Sequence, residues 1–149
     1  MSSCAADVAA MTVDADLERL ADIRALVREV ALSSGAPPAC LDDLTQAVDE
    51  AATNIVLHGY EGRRGAIDVD ARLVDDNIVI VLSDTAPVFD PTAVPEPDLS
   101  VPALRRHPGG MGLHLIRLST DSMVHRPRLG GGNILTLTRS LDPRPKEDR

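Results

Sequence analysis

The sequence predicts an α+β fold: a two-layer sandwich with helices on one face of a mostly antiparallel mixed sheet. Three observations point there. Two amphipathic helical patterns come in succession, an alternating hairpin pattern follows, and a short third helix precedes two closing strand patterns. A doubly wound parallel sheet would instead need regular alternation of strand and helix. The 149 residues are one domain's worth, enough to bury about two thirds of the surface that the unfolded chain exposes. We read 1–149 as a single domain, with a core over about 12–141 and a disordered tail at 142–149.

Ala5 to Val13 reads as a short opening strand, weakened by its alanines. Leu17, Leu20, Ile23, Val27 and Val30 then recur at spacings of three and four, behind the cap residues Asp14 and Asp16 and ahead of Ser33-Ser34-Gly35, which predicts a first helix. After Pro37-Pro38 the same spacing returns in Leu41, Leu44, Val48, Ala51 and Ile55, until Gly59 closes a second, longer helix. Ile67, Val69, Ala71 and Leu73 alternate with Asp68, Asp70 and Arg72, as in a strand with one wet face. Asp75-Asp76-Asn77 supplies turn chemistry, and the apolar run Ile78 to Leu82 is the partner strand. Thr85 to Pro108 holds six prolines in 24 residues, which marks a long irregular loop of the kind that serves as a lid or is disordered. Gly109, Gly110 and Gly112 end it, and Leu113, Ile116 and Leu118 predict a third helix of about two turns. Strands at Ser122 to Arg126 and Ile134 to Ser140, joined through Gly130-Gly131-Gly132-Asn133, complete the reading.

Composition excludes several classes of function. Asp+Glu 23 against Lys+Arg 15 gives a net charge of −8, so direct binding to nucleic acid or to an anionic membrane is disfavoured. Tyr60 and Phe89 are the only aromatics, too few for a base-stacking platform. Cys4 and Cys40 have no ligand-spaced partner, which fits a reduced compartment and predicts a cytoplasmic protein with no disulfide framework. No apolar run is long enough to span a bilayer. His58, His107, His114 and His125 share no metal-ligand spacing, so each is read as a surface or hydrogen-bonded histidine. P-loop, nucleophile-elbow and zinc-helix motifs are missing.

Three constellations carry chemistry. In AVDEAATNIVLHGY, Glu50 and Asn54 stand four apart on one side of the second helix, with His58 a turn further on; an ordinary solvated polar face reads the same way. Asp84 ends the most apolar strand, where its carboxylate either accepts a hydrogen bond from an exocyclic amine or caps a turn. Gly109-Gly110-Met111-Gly112 opens the third helix, so backbone N–H groups and the helix dipole meet a phosphate without side-chain obstruction. A dinucleotide fingerprint is excluded, because no strand directly precedes the glycines and Leu115 takes the third glycine's place.

In this order the boxes resemble those of the histidine-kinase-like ATPases with the Bergerat ATP-binding fold, and among them the anti-sigma factor serine kinases of the RsbW type. DEAATNIVLHGY is similar to their N box, DTAPVFDP to the G1 box, GGMGLHLI to the G2 box and GGGNILTLTR to the closing strand pair. The resemblance implies a protein serine/threonine kinase using ATP and Mg²⁺. Glu50 would be the general base, Asn54 the Mg²⁺ ligand and Asp84 the acceptor for the adenine amine. The implied nucleotide-contacting set is Asn54, His58, Asp84, Ala86, Phe89, Arg106, His107, Gly109, Gly110, Met111, Gly112 and Thr136, with Thr85 to Gly109 as the lid. Implied partners are a STAS-domain anti-anti-sigma factor as phosphoryl acceptor, a sigma factor or similar regulator as client, and a second copy in a homodimer. Two positions depart from the family's pattern. Ala86 stands where glycine is usual, and its methyl would crowd the adenine or resist a positive φ. Pro108 precedes the glycines, so Arg106 or His107 would have to meet the γ-phosphate. Ala86 is also the best support for the rival expectation, a catalytically weak nucleotide-sensing or purely protein-binding module.

Overall fold

Alternating side chains lay down the sheet, and the helices bury one of its faces. The computed structural model describes residues 8–93, 100 and 110–142; Cys4, most of the Pro-rich stretch and nearly all of the expected tail lie outside them. The first strand, β1, spans Val8–Asp14. One 3-10 turn at Leu17–Arg19, capped by the Asp16 carboxylate accepting from the Glu18 N–H at 2.9 Å, leads into α1 (Leu20–Ser33). α2 (Pro38–Asn54) begins on a proline, which needs no N–H in the first turn. It does not stop at Asn54: Ile55–Gly59 form a π turn, closed by the Tyr60 N–H donating to the Ile55 carbonyl at 2.8 Å.

The hairpin of β2 (Ala66–Val74) and β3 (Asn77–Asp84) turns at Asp75, which takes a left-handed φ of 54°. A 3-10 turn at Pro91–Ala93 follows. α3 (Gly110–Ser119), β4 (Ser122–Pro127) and β5 (Asn133–Ser140) complete the described chain. Sheet order is β1-β2-β3-β5-β4. All four pairings are antiparallel, so the described sheet contains no parallel pair of the kind that a mixed sheet would include.

The core is aliphatic. Ile23, Val27 and Val30 of α1, Leu44 and Val48 of α2, and Ile116 of α3 share one cluster with Ile67, Val69, Ile78, Ile80, Leu82 and Leu137 of the sheet. Each such side chain contributes about 1.5–3 kcal/mol by leaving water. Arg139 is a buried charge on the inner face, and its Nε donates to Asp43 Oδ2 at 3.1 Å, tying β5 to α2. The opposite sheet face carries Val79, Val81, Ile134 and Thr136 at its centre, with Val124 beside them on the edge strand β4. Asp68, Asp70 and Arg72 border it on β2, and no described helix covers it. Among the described residues no helix is long and apolar enough to cross a membrane.

Candidate functional site

Glu50 and Asn54 lie in the last turns of α2, both half-buried, at the spacing that puts them on one side of the helix. The first turn of α3 crosses directly against them. A Cβ added to Gly112 would stand 2.9 Å from Glu50 Oε2, 3.6 Å from Asn54 Oδ1 and 3.7 Å from Asn54 Nδ2. An added Cβ would press only on the far end of the Glu50 side chain and meet Asn54 at ordinary contact distance, so the two helices lie close together here. This closeness brings the N-terminal N–H groups, which have no partner within the helix, and the positive dipole end of α3 next to a carboxylate and a side-chain amide. Oxygen donors beside a helix N-terminus form a place for an oxyanion and for a hard cation bridging to it. Leu113 and Ile116 pack α3 into the shared core, and the Ser119 hydroxyl lies 3.3 Å from Gln46 Oε1 of α2, which keeps the two helices in this relation.

Asp84 is 3% exposed at the end of β3, on the same sheet face as Ile80 and Leu82. Its Oδ1 accepts twice, from the Ala86 N–H at 3.0 Å and from Asn133 Nδ2 at 2.9 Å. Tyr60, buried after the π turn, fixes the next residue: its hydroxyl accepts from the Thr85 N–H at 2.8 Å and donates to the Ala66 carbonyl at 2.7 Å. Gly132, at φ 121°, is required by close approach, because a Cβ there would fall 2.0 Å from the Asp84 carbonyl oxygen.

Ala86 is buried, and its φ is not in the left-handed region, so the expected backbone strain is absent. Its methyl faces Gly59, where an added Cβ would lie 3.2 Å from Ala86 Cβ and 4.0 Å from the Asn54 carbonyl. The Asp84 cluster and the Glu50/Asn54 cluster therefore adjoin across this contact. Phe89 is exposed, and its N–H donates to Asn133 Oδ1 at 2.9 Å. Asp90, next along, accepts from the hydroxyl and N–H of Thr92. The hydroxyl bond is the main reason its carboxyl titrates below the ordinary aspartate range.

The structure thus brings together Glu50, Asn54 and Gly112, and packs Ala86, two residues after Asp84, against the π turn that continues α2, with the Phe89 backbone held by Asn133. Gly110 and Met111 form the first turn of α3, and His58 is exposed on the π turn. Arg106, His107 and Gly109, with most of the expected lid, lie outside the described residues. Thr136 is a correction. It pairs with Val81 in register and so points to the uncovered face, because strand side chains alternate and its neighbours Leu135 and Leu137 point to the core. Asn133, in register with Asp84 and on its face, holds the place assigned to Thr136. Its position after three glycines marked it as turn chemistry, and only the strand register reveals its partner. Gly132 and His125 were missed for the same reason, and Tyr60 because its hydroxyl meets Thr85 only in the folded chain.

A family model described as a histidine kinase-like ATPase domain matches residues 13–139. Among curated proteins, the chain is 32% identical to a serine-protein kinase RsbW of Bacillus cereus over 117 residues, covering 76% of this chain and 73% of that protein. A serine-protein kinase RsbW of Halalkalibacterium halodurans is 31% identical over 135 residues, 88% and 82% of the two chains. A serine/threonine-protein kinase BtrW of Bordetella bronchiseptica is 34% identical over 101 residues, 67% and 70% of the two. Among solved structures, the RsbU and RsbW domains of a Mycobacterium tuberculosis protein superpose with a TM-score of 0.64 at 23% identity. That match covers 89% of this chain and 32% of the solved one, and it speaks to the fold.

Proposed function

Since the chain belongs to the histidine kinase-like ATPase family and is a protein serine/threonine kinase of it, we propose that it works as an anti-sigma switch. It transfers the γ-phosphoryl group of ATP to a serine or threonine of a STAS-domain antagonist and, when that antagonist is phosphorylated, holds a sigma factor or similar regulator in the cytoplasm. The observation that carries this reading is the meeting of Gly112 with Glu50 and Asn54, which puts a helix N-terminus against a carboxylate and an amide.

In this reading Asp84 accepts the exocyclic amine of adenine at the end of β3, with Ala86 and Phe89 beside the base. The N–H groups of Gly110, Met111 and Gly112 hold the phosphate oxygens. Asn54 is the residue that would hold Mg²⁺, through its Oδ1, and an amide oxygen beside the start of α3 suits a hard cation. Bound there, Mg²⁺ would supply charge neutralisation on the transferring phosphates. Glu50 takes the proton of the attacking hydroxyl, which is mostly a positioning task because the transition state is loose. His58, Arg106, His107 and Gly109 stay in the proposed nucleotide set, with Arg106 or His107 toward the γ-phosphate. A second copy packs on the uncovered sheet face around Val81. Ala86 does not need a positive φ, which favours the catalytic reading over a non-catalytic module as far as backbone strain goes.

The test is transfer itself. Labelled γ-phosphate from ATP should appear on a serine or threonine of a cognate STAS-domain protein when Mg²⁺ is present. ATP binding with no transfer to any cognate antagonist would contradict the kinase role.

A further inference from the structure

His125 has no part in the reading above, although its side chain is 4% exposed at the rim of the Asp84 cluster. It sits on β4, and its Nε2 lies 2.7 Å from Asn133 Oδ1. The same oxygen accepts from the Phe89 N–H at 2.9 Å. A backbone N–H can only donate, so this end of the amide is its oxygen, and the Nε2 of His125 carries the proton. Asn133 Nδ2 is thereby turned to Asp84 Oδ1 at 2.9 Å, with the carbonyls of Pro87 at 3.2 Å and Ala86 at 3.4 Å alongside. Both bonds described for the Asp84 carboxylate fall on Oδ1, which turns the plane of the group and leaves Oδ2 to the ligand.

We infer that His125 is a positioning residue which, through Asn133, aims Asp84 Oδ2 at the base and so sets the preference for a base bearing an amine over one bearing a carbonyl. The inference rests on the role proposed above for Asp84. Physically, a carboxylate oxygen held in place attracts an amine and repels a keto oxygen, and a carboxylate free to rotate discriminates less between them. Nδ1 of His125 faces Asp90 Oδ1 at 3.8 Å, so the same ring also borders the entrance of the Pro-rich stretch.

Calorimetry with ATP and inosine triphosphate, whose base has a keto oxygen in place of the amine, reads the preference directly. The variants are His125→Leu, His125→Gln and Asn133→Leu, each first checked for folding by thermal melting. Loss of one hydrogen bond to a charged group corresponds to about tenfold or more. Asn133→Leu should therefore lower the preference for ATP by about that factor. His125→Leu should lower it by a smaller factor. His125→Gln, whose amide nitrogen takes the place of Nε2, should restore it. A wild-type preference that survives in folded His125→Leu overturns the proposal alone, as does an equal fall in both affinities, which marks a structural staple. Wild-type protein that binds the two nucleotides equally overturns the Asp84 role and the proposal together.

Discussion

Asn54 lies beside Gly112, where an added Cβ would meet its amide at 3.6 and 3.7 Å, and removing that amide deletes an oxygen donor without touching the aliphatic core. Asn54→Ala should therefore melt near the wild-type temperature while Mg-ATP affinity, read by calorimetry, falls about tenfold or more. Unchanged affinity would return Asn54 to an ordinary polar helix face. At Ala86 the structure reverses the direction that the family pattern suggested. With no left-handed φ to relieve and a methyl packed toward Gly59, Ala86→Gly should destabilise by about 0.4–1 kcal/mol in a denaturant titration and bring no gain in ATP affinity. Tighter binding would show that the methyl crowds the base. Both residues were legible in the sequence by type and spacing. Asn133 and His125 were not, because their partners lie 49 and 8 residues away and meet them only through strand register.

The glycine turn between β4 and β5 is held by close approach as well as by backbone geometry. Gly132→Ala would place a Cβ 2.0 Å from the Asp84 carbonyl at a φ of 121°. It should cost at least about 1–3 kcal/mol in a thermal melt and weaken ATP binding with it. A neutral substitution would mean that β5 can shift along β3 without disturbing Asp84. The elements themselves were readable from periodicity: three helices, the hairpin and the closing strands stand where the apolar spacing puts them. Two features escaped. The π turn at Ile55–Gly59 widens the helix over only five residues, too few to alter an apolar pattern. Thr136 was assigned from the family resemblance, although the alternation of Leu135 and Leu137 with Thr136 and Thr138 already turns it away from the core.

At the scale of the whole molecule, the three described helices cover one face of the sheet, and no described helix covers the other, which has an aliphatic centre and charged borders. If that face joins two copies, Val81→Glu should convert a dimer to a monomer in sedimentation velocity and keep the wild-type melt, whereas an unchanged dimer would place the interface elsewhere. The covered side holds the proposed chemistry, since Glu50 and Asn54 of α2, Gly112 of α3 and Asp84 at the end of β3 all lie on it. In the proposed mechanism Glu50 acts on the attacking hydroxyl and contributes nothing to holding the nucleotide. The most direct measurement of this is phosphate transfer from labelled ATP to the cognate antagonist by Glu50→Gln, with ATP and antagonist binding measured on the same protein. The account predicts both bindings retained and transfer slowed by about 10²- to 10⁴-fold; full transfer activity in the folded variant would contradict it.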